Sequence, residues 1–158
     1  MKFVVIIQVR AGSTRLPGKA FLELLPDKSM TECLVERAKR TGLEVCLAFP
    51  RTGTRADWRF REIAYAQDIH ACCPLHMDEN DLIARHLEAA TILGATHIVR
   101  VPGDNPCVDP EYITQAVERY LSGRYMFYSN TTDDVDGVMV DGVGAEVFSV
   151  SRLYHVAH

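Results

Sequence analysis

The sequence has no apolar run long enough to span a bilayer, which takes about 20 residues. Its Phe3–Ile7 stretch has only five such residues and is also too short for a signal-peptide core, so a cytoplasmic address is expected. Basic charge is in deficit too. Seventeen Lys and Arg stand against 21 Asp and Glu, for a formal net charge of −4, which argues against general nucleic-acid or anionic-membrane binding. Cysteine is sparse and odd in number: Cys33, Cys46, Cys72, Cys73 and Cys107 are scattered, mostly in apolar segments, and read as reduced core thiols rather than a disulfide framework. No internal repeat or low-complexity segment is present, and the chain holds a single tryptophan.

What the chain does have is alternation. Phe3–Ile7 reads as a buried strand, and Ser29-Met-Thr-Glu32 fits a capping box opening a helix to about Thr41, stopped at Gly42. Leu43–Phe49 reads as a second strand ended by Pro50. Helix near 56–67, strand near 69–73, helix 81–93, strand 97–101 and helix 110–121 follow, with Pro110 placed for a first helical turn. Strand-like MFYSN and the 145–150 run close the series, and SRLYHVAH begins another helix. This order predicts an α/β fold, with a mostly parallel sheet covered by helices on both faces and joined by right-handed crossovers. A single domain over 1–158, short at its C-terminal end, is expected.

The first strand runs into Arg10-Ala-Gly-Ser-Thr-Arg15-Leu-Pro-Gly-Lys19. Small residues after a strand let backbone N–H groups approach phosphate oxygens. A Walker A loop fails on spacing: five residues, not four, separate Gly12 from Gly18, and Ala20 stands where a magnesium-binding hydroxyl is needed. The G-x-G-x-x-G fingerprint is absent as well. Two readings remain, a solvated basic loop and an oxyanion cradle with three fixed cations. A second loop, Arg100-Val-Pro-Gly-Asp104-Asn-Pro106, puts a carboxylate at the carboxyl end of a strand, where open α/β sheets collect ligands. Asp104 is either a magnesium ligand or a turn residue bonding its own backbone. Cations for phosphate and a carboxylate for the bridging metal, on one sheet edge, together suggest a nucleotidyltransferase.

Other features carry less. His70, Cys72, Cys73 and His76 crowd seven positions, but a strand would send them to opposite faces, and no second C-x-x-C closes a zinc site. Trp58, Phe60, Ile63 and Ala64 fall near helical spacing and read as core. Asp133, Asp134 and Asp136 read as a solvated loop.

At these residues a resemblance enters. Gln8-Val-Arg-Ala-Gly-Ser-Thr-Arg-Leu-Pro-Gly-Lys19 resembles the signature of the cytidylyltransferases that activate acidic sugars, among them the CMP-Kdo and CMP-sialic acid synthetases and the spore-coat polysaccharide branch. Asp81-Leu-Ile-Ala-Arg85 resembles that family's acidic, helix-opening segment, and 98–106 its metal-binding segment. Tyr128-Ser-Asn-Thr131 and 142–149 resemble its sugar-side segments. The resemblance implies a three-layer α/β/α nucleotide-diphosphosugar transferase fold and a reaction of CTP with a sugar that gives a CMP-sugar and pyrophosphate. It implies Mg2+ as cofactor, held by Asp104. Arg10, Arg15 and Lys19 would act on the triphosphate, and Ala11, Gly12, Ser13, Asp81, Arg85 and Arg100 would bind nucleotide, a helix-surface ion pair staying open for Asp81 and Arg85. Asn130 and Glu146 would face the sugar.

The chain departs from the family at Gly144, where an aspartate is expected as second metal ligand; Asp141 or Glu146 is the expected substitute, unless one carboxylate suffices. The expected partners are CTP, a sugar acceptor and a second copy in a homodimer. A related nucleotidyltransferase with another NTP or acceptor, or an inactive nucleotide-binding subunit, stands as the alternative.

Overall fold

The computed structural model of the protein describes residues 1–74, 80–123, 125–130 and 142–157. In chain order its elements are β1 (Phe3–Gln8), a 3-10 turn (Lys19–Phe21), β2 (Glu23–Leu25), β3 (Lys28–Ser29), α1 (Met30–Lys39), β4 (Glu44–Ala48) and α2 (Arg55–Ala66). There follow β5 (His70–Cys72), α3 (Leu82–Leu93), β6 (His97–Pro102), α4 (Pro110–Ser122), β7 (Phe127–Ser129), β8 (Glu146–Ser149) and α5 (Val150–Ala157). The small β2–β3 hairpin was not foreseen: its strands are short and its turn rests on Asp27 in the left-handed region (φ 60°) rather than on a glycine.

Six strands form one sheet in the order β5-β4-β1-β6-β8-β7. β1 pairs in parallel with β4 and β6, while β8 runs antiparallel to both β6 and β7. The sheet is therefore mostly parallel, with one reversed strand. The β-branched run of β1 is buried on both faces, as a central parallel strand must be: Val4, Val5, Ile6 and Ile7 are all fully buried. Alternate side chains go to opposite layers. Val5, Ile7 and Val9 join Leu34 and Ala38 of α1, Phe60 and Ile63 of α2 and Ile113 of α4. Val4 and Ile6 join Ala89 and Ala90 of α3 and Leu153 of α5. Each fully buried aliphatic side chain contributes about 1.5–3 kcal/mol of transfer free energy, so these two clusters hold the layers together.

The helix starts follow local chemistry. Ser29 and Glu32 form the reciprocal capping box, with Ser29 N donating to Glu32 Oε2 at 2.8 Å and Glu32 N to Ser29 Oγ at 3.3 Å. Asp109 caps α4 with Pro110 behind it. One core expectation fails: Phe60, Ile63 and Ala64 are buried, but Trp58 is 69% exposed. Two residues along a helix turn the side chain by about 200°, which puts Trp58 on the face opposite Phe60.

Cys33, Cys46 and Cys72 are buried free thiols, as expected of core cysteines, and Cys107 is exposed. Burial pushes the Cys46 thiol up to about 12 and the Cys72 thiol to about 11. His70 lies on the sheet edge with Nε2 2.9 Å from Glu44 Oε1, and His76 falls outside the described residues, as do Asp133, Asp134 and Asp136.

From β1 the chain moves through β4 to β5, then returns past β1 to lay down β6 on its other side. The loops leaving β1 and β6 part at their carboxyl ends, and a crevice opens there. This reversal point is where open α/β sheets bind ligands.

Candidate active site

The first loop leaves β1 after Val9, whose N–H still pairs with Ala48 O at 3.0 Å. It folds on itself: Ser13 N donates to Ala11 O, and Ser13 Oγ accepts from Leu16 N at 3.3 Å. Gly18, at φ 69°, then turns the chain into the 3-10 turn carrying Lys19. Behind Lys19, Ala20 is buried, and its carbonyl accepts from the hydroxyl of the fully buried Thr31 at 2.7 Å. Lys19 thus springs from a fixed base.

The second loop approaches the first at Gly103. A Cβ on Gly103 would lie 2.0 Å from the carbonyl oxygen of Gln8, so no side chain fits where the two strand ends meet. The next residue is Asp104, with Oδ2 2.9 Å from Lys19 Nζ. That hydrogen bond holds the Asp104 carboxyl below the usual carboxylate range; desolvation works the other way, while the charges of Lys19 and Arg15 add to the lowering. The carboxylate is about half exposed and stays ionised in neutral solution.

Between the loops lies a cavity of about 350 Å³. Arg10, Ser13, Arg15 and Lys19 wall one side, Gly103 and Asp104 another, and Arg85 of α3 the third. Arg10 Nη1 is 3.5 Å from Asn80 Oδ1, and Arg85 is only 2% exposed. Among the described residues four cations thus face one carboxylate, the arrangement that binds a polyanion together with a hard cation.

Two side chains expected at the nucleotide, Asp81 and Arg100, and the two expected at the sugar, Glu146 and Asn130, lie outside the lining of this cavity. Asp81 caps α3, its Oδ1 accepting from Ala84 N at 2.9 Å, which steadies the helix that carries Arg85. Arg100 points away from the cavity because its strand neighbours Val99 and Val101 take the α1, α2 and α4 side. It donates from Nη1 to both Glu146 oxygens at 2.6 Å and from Nε to Gln8 Oε1 at 3.3 Å. Arg100 and Glu146 floor a separate, largely apolar groove of about 500 Å³, lined among others by Ile83, Phe127 and Phe148. Glu146 is therefore engaged by Arg100 and lines that groove rather than the cavity beside Asp104. Asp141 lies outside the described residues.

Asn130 is the fourth. Its Nδ2 donates to Tyr112 O and its Oδ1 accepts from Ala145 N, both at 2.8 Å, tying α4 to the entry of β8. A Cβ on Gly144 would come within 2.4 Å of that same Oδ1, which gives a steric reason for glycine at a position where the family pattern has aspartate. Ala11 and Gly12 belong to the loop but not to the cavity lining.

Sequence reasoning passed over His86. It is 3% exposed, its Nδ1 lies 2.7 Å from Leu82 O, and its buried Nε2 has no partner among the described residues. Burial, aided by the charges of Arg100 and Arg85, pushes it down to about 4. The only signal in the sequence was its place one residue after Arg85 on a helix whose sheet-facing side is apolar.

An open α/β sheet with a cation-walled cavity and the Asp104 carboxylate at its reversal point defines a nucleotide-binding fold of the phosphate-handling kind. The chain belongs to the cytidylyltransferase family, whose model matches residues 4–140. It is 36% identical over 121 residues to a 3-deoxy-manno-octulosonate cytidylyltransferase of Trichlorobacter lovleyi, covering 77% of this chain and 46% of that protein. It is 29% identical over 153 residues to an uncharacterized protein of Methanocaldococcus jannaschii, covering 97% and 59%. A solved cytidylyltransferase of Leptospira borgpetersenii superposes with a TM-score of 0.83 at 31% identity, over 99% of this chain and 64% of that one. The fold is shared further with a CMP:2-keto-3-deoxy-manno-octonic acid synthetase (TM-score 0.74, 18% identity, 99% of this chain and 78% of that one). The chain spans about half the length of the curated relatives it matches.

Proposed function

We propose that this chain transfers CMP from CTP to an acidic sugar, releasing pyrophosphate. The observation that carries this reading is the Lys19–Asp104 contact, which joins the phosphate loop to the carboxylate loop across the crevice. The names of its curated relatives point to a 3-deoxy-manno-octulosonate-like acceptor.

In the reaction, an acceptor oxygen attacks the α-phosphorus, its bond to phosphorus forms as the bond to the β-phosphate bridging oxygen breaks, and pyrophosphate departs with that electron pair. Little covalent work falls to the protein. Arg10, Arg15 and Lys19 bind the triphosphate and stabilise the charge that grows on the leaving group, and Arg85 adds a fixed positive charge from the α3 wall. The backbone N–H groups of Ala11 and Gly12 and the hydroxyl of Ser13 are the proposed partners for phosphate oxygens, the Ser13 N–H being held by Ala11 O.

Asp104 fits Mg2+. It is an ionised oxygen donor, open on one side, and no cluster of three or more potential ligands surrounds it among the described residues. Mg2+ is commonly held by one or two carboxylates, substrate phosphates and water, so one protein carboxylate is compatible with that donor set. When bound there, Mg2+ supplies charge neutralisation at the phosphate oxygens. Lys19 contacts Asp104 through Oδ2 alone, and its ammonium would lie within reach of the same phosphates. Arg100 and Glu146 belong to the acceptor side in this reading. Exposed Met126 and Phe127 beside their groove favour a protein neighbour there, and a second copy of the chain is the one proposed.

The test is pyrophosphate release by the purified protein with Mg2+, each of the four NTPs, and a panel of acidic sugars. CTP with 3-deoxy-manno-octulosonate should release pyrophosphate fastest. CTP binding without release under any combination would replace the reading with that of a nucleotide-binding subunit.

A further inference from the structure

The exposed face of α2 is unlike the rest of this acidic chain. Arg51, Arg55, Arg59 and Arg61 place four of its 17 basic residues within 11 positions. Arg55, Trp58, Arg59 and Glu62 are spaced i, i+3, i+4 and i+7, one stripe of the helix. They line a hollow of about 600 Å³ whose remaining wall is Phe21, Ala56 and Ala11 of the phosphate loop. Among the described residues no carboxylate pairs with Arg55 or Arg59. Asp57, the nearest acid in sequence, is taken by Thr52 and Gly53.

The donor set specifies a ligand. An exposed indole offers a flat face on which a ring can stack, two guanidiniums bind a phosphate, and the Glu62 carboxylate accepts from hydroxyl or amino groups. A bare phosphate would use the arginines and be repelled by Glu62. A nucleotide uses all of them.

The hollow is also wired to the loop beside it. The Arg59 guanidinium lies over the Phe21 ring, 4.0 Å from its centroid, and Phe21 packs on the buried Phe60 with ring centroids 4.6 Å apart. Phe21 closes the same 3-10 turn that carries Lys19. Arg59 thus touches on one side a ring of the turn that carries Lys19, and on the other the open hollow.

We propose that the α2 hollow is a second nucleotide site, distinct from the phosphate cavity, with the ring on Trp58 and the phosphate on Arg55 and Arg59. Occupation draws Arg59 from Phe21 toward the phosphate and loosens the Lys19 turn, so the ligand inhibits turnover. By linkage, a ligand held by Lys19 weakens binding in the hollow. The inhibitory coupling rests on the catalytic reading of Lys19; binding in the hollow does not. A free nucleoside monophosphate and the nucleotide part of a sugar nucleotide share this chemistry.

Trp58 is the sole tryptophan and sits in the site, so its fluorescence reports occupancy. The full chain is titrated with CMP, a CMP-sugar and inorganic phosphate, with and without Lys19→Ala, and with Arg55→Gln. The expected result is a saturable change with CMP that survives Lys19→Ala and weakens at least about tenfold in Arg55→Gln, as loss of a charge-assisted contact should. Phosphate should bind far more weakly; tighter binding of the CMP-sugar than of CMP would identify the sugar nucleotide as the source, and the reverse the free nucleotide. Pyrophosphate release at saturating CTP should be unchanged by Arg55→Gln, but should lose its inhibition by CMP at concentrations that fill the hollow. Absence of a saturable change, its loss in Lys19→Ala, or equal affinity for phosphate would overturn the site. Binding that survives in a protein releasing no pyrophosphate would overturn the catalytic reading and leave the site standing.

Discussion

Lys19 Nζ and Asp104 Oδ2 meet at 2.9 Å, from loops that leave β1 and β6 at the point where the sheet reverses direction. The contact is half exposed, so it adds no more than about 0–1 kcal/mol to stability. Its value lies in what it keeps together. Lys19→Ala is expected to lower pyrophosphate release by about a hundredfold or more, the usual cost of removing one charge-stabilising group. The thermal midpoint should barely move. A variant that unfolds early, or one that turns over normally, would each contradict the assignment, and calorimetry beside the rate assay separates the two.

Gly103 sets the distance between those loops. A methyl group there would need the space of the Gln8 carbonyl, 2.0 Å away, and backbone cannot yield as a side-chain tip can. Gly103→Ala should therefore cost about 1–3 kcal/mol, as overpacking does. It should also lower turnover more than that stability loss explains, because Asp104 is the next residue. Chemical denaturation and pyrophosphate release on the same preparation check both parts.

His86 gives a pH dependence with a definite sign. Its folded value, near 4, lies below the ordinary 6.5, so the unfolded chain binds the extra proton first. Stability is then full above about pH 6.5 and falls as the pH drops toward 4, by an amount on the order of 2–3 kcal/mol for this group. His86→Leu should flatten that limb of the stability curve. A curve of the same slope in the variant would place the acid sensitivity on other groups.

Much of this architecture was legible in the sequence because its signals are local. The capping box at Ser29 and Glu32, Pro110 behind Asp109 and the buried run of β1 each act within a few residues, and the structure has them where they were expected. The two loops that wall the cavity were legible for the same reason, since each directly follows a strand. Pairings made across the sheet were less so. Arg100 was expected on the nucleotide side, yet the alternation that buries Val99 and Val101 turns it toward Glu146 on the other face. Gly144 lacks the expected carboxylate, and the Asn130 side chain fills the space beside it.

Trp58 and Phe60 make the same point about helix faces in measurable form. Phe60 is 1% exposed and packs against both Phe21 and Phe49, whereas Trp58 is 69% exposed. Phe60→Ala should destabilise the fold by about 3–5 kcal/mol. Trp58→Ala should stay within about 0.5 kcal/mol of the parent, although it removes the larger side chain. Urea denaturation followed by circular dichroism, which does not depend on the lost tryptophan, compares the two.

Glu146 permits a sharper separation of roles than any other residue in the second groove. With Arg100 and Glu146 side chains each about one-quarter exposed or less, Glu146→Gln leaves a cation facing an amide in a largely apolar setting. Breaking a buried pair from one side costs about 3–5 kcal/mol, and partial exposure here should reduce that to about 2 kcal/mol. A purely structural pair would show only this loss, with both Michaelis constants unchanged at a temperature where the variant is folded. If the groove receives the acceptor, the KM for the sugar should rise severalfold while the KM for CTP holds, because the cation-walled cavity lies on the other side of Gln8. Equal changes in both constants would move Glu146 out of acceptor recognition and leave Arg100 as its only task.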